Sequence, residues 1–182
     1  MKHLDKIVSI VAKVLEVLHW LGSAAGAVLF VISFINPLGL TQWLNAAQTF
    51  TCYGIEINTM VNGSVHMGAV RTAFIGFLLV FALMAMVFRN LYLIAKTARG
   101  KTWFSEGETP FQHNIVRMVR EIGIFLISIP AVGLVVAAIT RLCFGIEMVN
   151  DLSGLLIGLV MLYLSQIFAR GTQLQNDVDG LL

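Results

Sequence analysis

The 182-residue chain is 58% hydrophobic and only 12% charged, with a formal net charge of +2. That composition leaves too little polar surface for a soluble domain of this size and places the chain in a bilayer. The small net charge decides little by itself; its distribution along the chain decides more.

A spanning helix needs about 20 largely apolar residues, because the hydrocarbon core is roughly 30 Å thick. Ahead of the first such stretch, Leu4, Ile7, Val8, Val11, Leu15 and Leu18 recur at helical spacing, with Lys2, Lys6, Ser9 and Lys13 largely elsewhere on the wheel. This predicts an amphipathic helix at the inner surface that runs into span one, about 14–35. A cleaved signal peptide is the competing reading, but apolar sequence continues well past the small residues of "SAAGA". Glu16 and His19 lie one turn apart near the inner end of this span, as an intramembrane polar pair able to share a hydrogen bond or an interfacial pair that water reaches.

The connection at about 36–71 has strand character in its second half. "FTCYGIEI" reads as one strand, "VNG" at Val61 to Gly63 as a turn and "SVHMGAV" as the return, which makes a small β-hairpin. Span two follows at about 72–88. The loop at about 89–121 carries Arg89, Lys96, Arg99, Lys101, Arg117 and Arg120. Within it Thr109, Pro110 and Gln112 have the form of a helix start with a capping box.

Span three covers about 122–140, bent at Pro130. After a loop at about 141–151, span four covers about 152–168, where Ser165 and Gln166 are placed to donate across helices. Gly22 with Gly26, and Gly154 with Gly158, are small-xxx-small pairs that let helix backbones approach, within the protein, the two pairs against each other among the choices, or in a homo-oligomer.

Ten of the twelve Lys and Arg lie in the N-terminal tail, the 89–121 loop and the C-terminal tail; only Arg71 and Arg141, which snorkel to the outer surface, lie in the other two loops. Basic residues resist translocation, so both termini and the central loop are expected in the cytoplasm and the other two loops outside. The repeated words "CYGIE" at Cys52 to Glu56 and "CFGIE" at Cys143 to Glu147 then fall on one side. If both are strands they can pair edge to edge, and Cys52 with Cys143 either form a disulfide in an oxidising exterior or stay free thiols. With "ARG" after spans two and four, the echo suggests two similar helical hairpins.

The expected fold is therefore an all-α membrane protein of four transmembrane helices in two hairpins, with a small extracytoplasmic β-hairpin cap. No catalytic motif appears: no CxxC, HExxH or Gly-rich phosphate loop. Two cysteines in separate loops argue against a quinone-linked disulfide enzyme. His3, His19, His66 and His113 fall at different levels and make no metal set. No enzyme activity, cofactor or direct nucleic-acid contact is expected.

"GKTWFSEGETPFQHNIVRMVREIG" from Gly100 and "GLVMLYLSQIFARGTQLQNDVDGLL" from Gly158 resemble the bacterial domain-of-unknown-function family 2975, the YoaS-like membrane proteins. Pro110, Phe111, Asn114, Arg117 and Ile122, then Ile167, Phe168, Gly171 and Leu174, carry the resemblance. It implies a four-span bacterial plasma-membrane protein, often encoded beside a small helix-turn-helix regulator. The ending "NDVDGLL" departs from the more acidic, threonine-containing ending of such relatives. The resulting expectation is a sensor or regulatory anchor; a small transporter or channel component, with Glu16 and His19 coupling protons, and a membrane immunity protein are the alternatives.

Overall fold

The computed structural model describes residues 2–47, 49–53, 55–58, 60–61, 64–105 and 111–179. Among the described residues five helices are formed: α1 (Lys2–Ile35), α2 (Pro37–Ala47), α3 (Met67–Thr97), α4 (His113–Phe144) and α5 (Ser153–Asp179). Four of them, all but α2, are long and apolar enough to cross a membrane. The chain is thus a helical protein with four candidate spans, compatible with a multi-pass, membrane-embedded architecture. The N-terminal amphipathic stretch and span one are a single continuous helix.

Between the helices lie short strands: β1 (Thr49–Cys52), β2 (Ile55–Asn58), β3 (Met60–Val61), β4 (Ser64–Val65) and β5 (Met148–Asn150). "FTCYGIEI" is not one strand. It breaks at Tyr53, which adopts a positive φ of 48°, and folds back so that β1 pairs antiparallel with β2. β3 and β4 pair across Val61 and Ser64, with the expected turn residues Asn62 and Gly63 outside the described residues.

β5 then adds to the other edge of β2, with Ile55 opposite Asn150 and Ile57 opposite Met148. The two connections therefore do meet edge to edge, the first repeated word contributing Ile55 and Glu56 to the pairing and the second word contributing none of its residues. Cys143 and Phe144 are the last residues of α4, and Gly145 at φ 68° ends that helix by bonding its N–H to the Arg141 carbonyl. A cysteine at a helix end and one in a strand are not equivalent positions. Cys143 is an exposed, free thiol; the side chain of Cys52 lies outside the described residues.

The chain divides into two compact units. The first comprises Met1–Leu18, Met84–Ile127 and Leu155–Leu182. Its apolar centre is Ile115, Met118 and Val119 of α4, packed by Leu93, Ile94, Ala98, Phe104 and Met161. α4 and α5 approach at Gly123 and Gly158, where a Cβ on either would sit within 2.9 Å of the other's carbonyl oxygen. Of the two expected glycine pairs, Gly158 thus packs on Gly123. Gly154 is half-buried at the start of α5.

The second unit comprises His19–Leu83 and Ser128–Gly154. Here Gly22 and Gly26 pack on Phe81 and Leu78 of α3. Ser23 Oγ donates to the Leu78 carbonyl at 3.1 Å. Asn36 opens α2 by accepting the Gly39 N–H at 3.0 Å, with Pro37 at the first helical position where its missing N–H is no loss.

Candidate functional site

In the first unit, α3 ends in a Schellman turn: Gly100 at φ 66° donates to the Thr97 carbonyl, and Lys101 donates to Lys96. The Thr97 carbonyl also accepts the Ser105 hydroxyl at 3.0 Å and Gln112 Nε2 at 3.3 Å. Thr97 and Gln112 are fully buried. Gln112 is also where α4 begins, its carbonyl accepting the N–H groups of Ile115 and Val116. The sequence places that start at Thr109 and Pro110, which lie outside the described residues. The helix starts at His113, and the Gln112 side chain turns to α3.

This frame sets a polar cluster at the side of α3 and α4. Asn90 Nδ2 donates to Glu121 Oε2 at 3.0 Å, Arg117 Nε donates to Glu121 Oε1 at 2.8 Å, and Asn114 Nδ2 donates to the Phe104 carbonyl at 3.0 Å. Together with Leu93, Trp103, Phe104 and Met118 these four polar residues line a cavity of about 280 Å³. Asn90 is buried, whereas Trp103 is 95% exposed at the rim and meets Phe104 edge to face at 5.3 Å.

Of the basic residues picked from sequence, only Arg117 enters this cluster. Arg89, Lys101 and Arg120 are exposed; Lys96 and Arg99 are half-buried, with Arg99 Nε donating to the Ala95 carbonyl at 2.8 Å. Lys96 and Lys13 both stand over the Tyr92 ring, at 4.9 and 5.3 Å. Lys13 also donates to the buried carboxylate of Glu16 at 2.9 Å. Phe111 packs on Phe168 and fills the space left by Gly171. Ser165 Oγ bonds back to the Leu162 carbonyl in its own helix, rather than across to another.

In the second unit, buried His19 hydrogen-bonds the Tyr53 hydroxyl, and both rings stand 5.7 Å from Phe81. The Tyr53 turn therefore reaches back along α1 by about 24 Å from its end at Ile35, at 1.5 Å per residue. Arg71 donates to the Ser33 carbonyl at 3.0 Å and lies over the Phe34 ring at 4.0 Å, so its guanidinium is held rather than snorkelling freely.

β5 folds back along α4 in a similar way. Asn150 Nδ2 donates to the Pro130 carbonyl at 3.1 Å, and a Cβ on Gly133 would lie 2.4 Å from Asn150 Oδ1. That oxygen is buried without a hydrogen-bond partner. Asp151 then starts α5: its carboxylate accepts the Ser153 N–H and hydroxyl, both at 2.8 Å, and these bonds hold its pKa below the usual carboxylate range.

Sequence reasoning missed Asn90, Asn114, Glu121, Tyr53 and Asn150 as site residues. A signal existed for Asn90 and Glu121, which are polar groups at the edges of two apolar segments. The pairing itself has no sequence signature. Among the described residues no group of His, Cys, Asp or Glu is placed to hold a metal ion. Comparison of the chain with known protein families, with curated proteins and with solved structures finds no match.

Proposed function

We propose that the chain is a non-enzymatic, multi-pass protein of the bacterial plasma membrane that serves as a sensor or regulatory anchor for a cytosolic helix-turn-helix regulator. In this reading both termini and the 89–121 loop are cytoplasmic, and the two strand-bearing connections start from the outer side and fold back along the spans. The charge asymmetry of the loops supports the topology.

The observation that carries the reading is the frame around Thr97. Ordering a connection costs conformational entropy, roughly 1–2 kcal/mol per residue for the backbone. A loop that merely joins two spans has no need of such order. Here buried Gln112, Ser105 and a Schellman turn fix the described part of a connection bearing Arg99 and Lys101. A fixed basic surface suits docking. Affinity capture of the tagged chain from solubilised membranes is expected to recover a helix-turn-helix protein, and Arg99→Glu with Lys101→Glu to reduce that recovery about tenfold. Repeated recovery of no such partner rejects the reading.

A second reading, a small transporter or channel component, has its own observation. β5 lies against α4 about 21 Å along the helix from its end at Phe144. Non-helical backbone beside the middle of a span is tolerated where it is buried in protein or lines a wet path. Solute or ion flux in proteoliposomes that falls on Asn150→Leu or Glu16→Gln would favour this reading over the first.

A further inference from the structure

The cavity beside Asn90 has a chemistry that regulator docking does not use. Each of its amides donates from its nitrogen to the protein, one to a carboxylate and one to a carbonyl, and these acceptors fix which way each amide is turned. Each keeps a second N–H and its oxygen, and the oxygens are what Asn90 and Asn114 offer to a cation. Glu121 adds a carboxylate, whose lone pairs exceed the two bonds it accepts, and Trp103 and Phe104 add aromatic faces. Oxygen acceptors, one negative charge and π-faces are the recognition set for an ammonium group. Arg117, at the same cavity and with a side chain 74% exposed, supplies a cation at the rim. It is the group that an adjoining phosphate would meet.

Position points the same way. Glu121 immediately precedes the apolar run that begins at Ile122, and exposed Trp103 is the residue type that settles at the headgroup level of a bilayer. We propose that this cavity binds ethanolamine phosphate, the ammonium against Glu121, Asn90 and Asn114 and the phosphate at Arg117. The headgroup of phosphatidylethanolamine and the free phosphoethanolamine anion share that chemistry.

The test is native mass spectrometry of the full chain in detergent with phosphatidylethanolamine, phosphatidylcholine and phosphatidylglycerol offered at equal concentration. Phosphatidylethanolamine is expected to be retained about tenfold over phosphatidylcholine, whose trimethylated nitrogen has no N–H to donate. Glu121→Gln should erase that preference, and Arg117→Gln should weaken retention of both zwitterionic lipids by about threefold or more. Equal retention of the two zwitterionic lipids overturns the proposal. So does stronger retention of phosphatidylglycerol, which would reflect general attraction to a basic end. Should Glu121→Gln fail to fold, exposed Arg117→Gln decides alone: unchanged retention overturns the proposal. Displacement of the lipid by millimolar free phosphoethanolamine supports the site with a soluble ligand, and resistance to it supports the site with the lipid.

Discussion

Asn90 of α3 and Glu121 of α4 are joined by a 3.0 Å hydrogen bond from a buried amide to a carboxylate that also takes Arg117. Where apolar helices are surrounded by apolar lipid, such a bond fixes rotation and depth in a way that hydrophobicity cannot. Asn90→Ala removes the donor to a charged acceptor and is expected to cost about 1–3 kcal/mol, read as a lowered thermal midpoint in detergent. Arg117→Gln, at an exposed pair, should move the midpoint little.

At Gly123 and Gly158 the two backbones touch. Gly158→Ala places a methyl 2.8 Å from the Gly123 carbonyl oxygen and 3.0 Å from the Ile127 backbone nitrogen, and neither backbone atom can rotate away. A loss of about 1–3 kcal/mol is expected, as for overpacking in a tight core. Gly171→Ala first meets the ring of Phe111, a side chain that can shift, and should be milder in the same unfolding assay.

Gln112→Ala leaves the Thr97 carbonyl with one hydrogen bond fewer and opens a fully buried position. The connection should loosen before the helices do. Limited trypsin digestion is expected to cut at Arg99 and Lys101 several-fold faster, with the far-ultraviolet helix signal retained.

Asp151 carries a pH dependence with a definite sign. Its carboxyl pKa is lowered in the folded protein by the Ser153 N–H and then by the Ser153 hydroxyl. The folded state therefore favours the ionised form, so its contribution is present above the unfolded carboxylate value and is lost as pH falls through the folded one. Stability measured from neutral pH down through the carboxylate range should drop less steeply in Asp151→Asn than in the parent, while at neutral pH the variant should be the less stable of the two.

Cys143 tests the proposed topology. It is exposed at the end of α4. With the 141–151 loop outside, a membrane-impermeant thiol reagent applied to intact cells is expected to label it in a Cys52→Ser background. Labelling only after permeabilisation would reverse the orientation.

Much of the helical layout was legible because a bilayer reads composition. The four apolar stretches and their polar ends need only the mean hydropathy of a window, which is a local quantity, and α1, α3, α4 and α5 contain the predicted spans. The strands were harder. Two five-residue words that differ only in Tyr53 against Phe144 become strand, turn and strand at Cys52 and a helix end at Cys143, since α4 continues to Phe144 before the second copy begins to turn.

The sequence by itself determined where the chain is apolar enough to be embedded and which connections carry the positive charge, because both follow from the transfer energy of residues taken one at a time. Only the tertiary structure decided that Gly158 meets Gly123, that Asn90 reaches Glu121, and that Tyr53 and Asn150 fold back onto His19 and Pro130. Those contacts depend on the rotation and axial offset of one helix against another. A run of leucines, valines and phenylalanines leaves both free until a few polar and small residues find their partners.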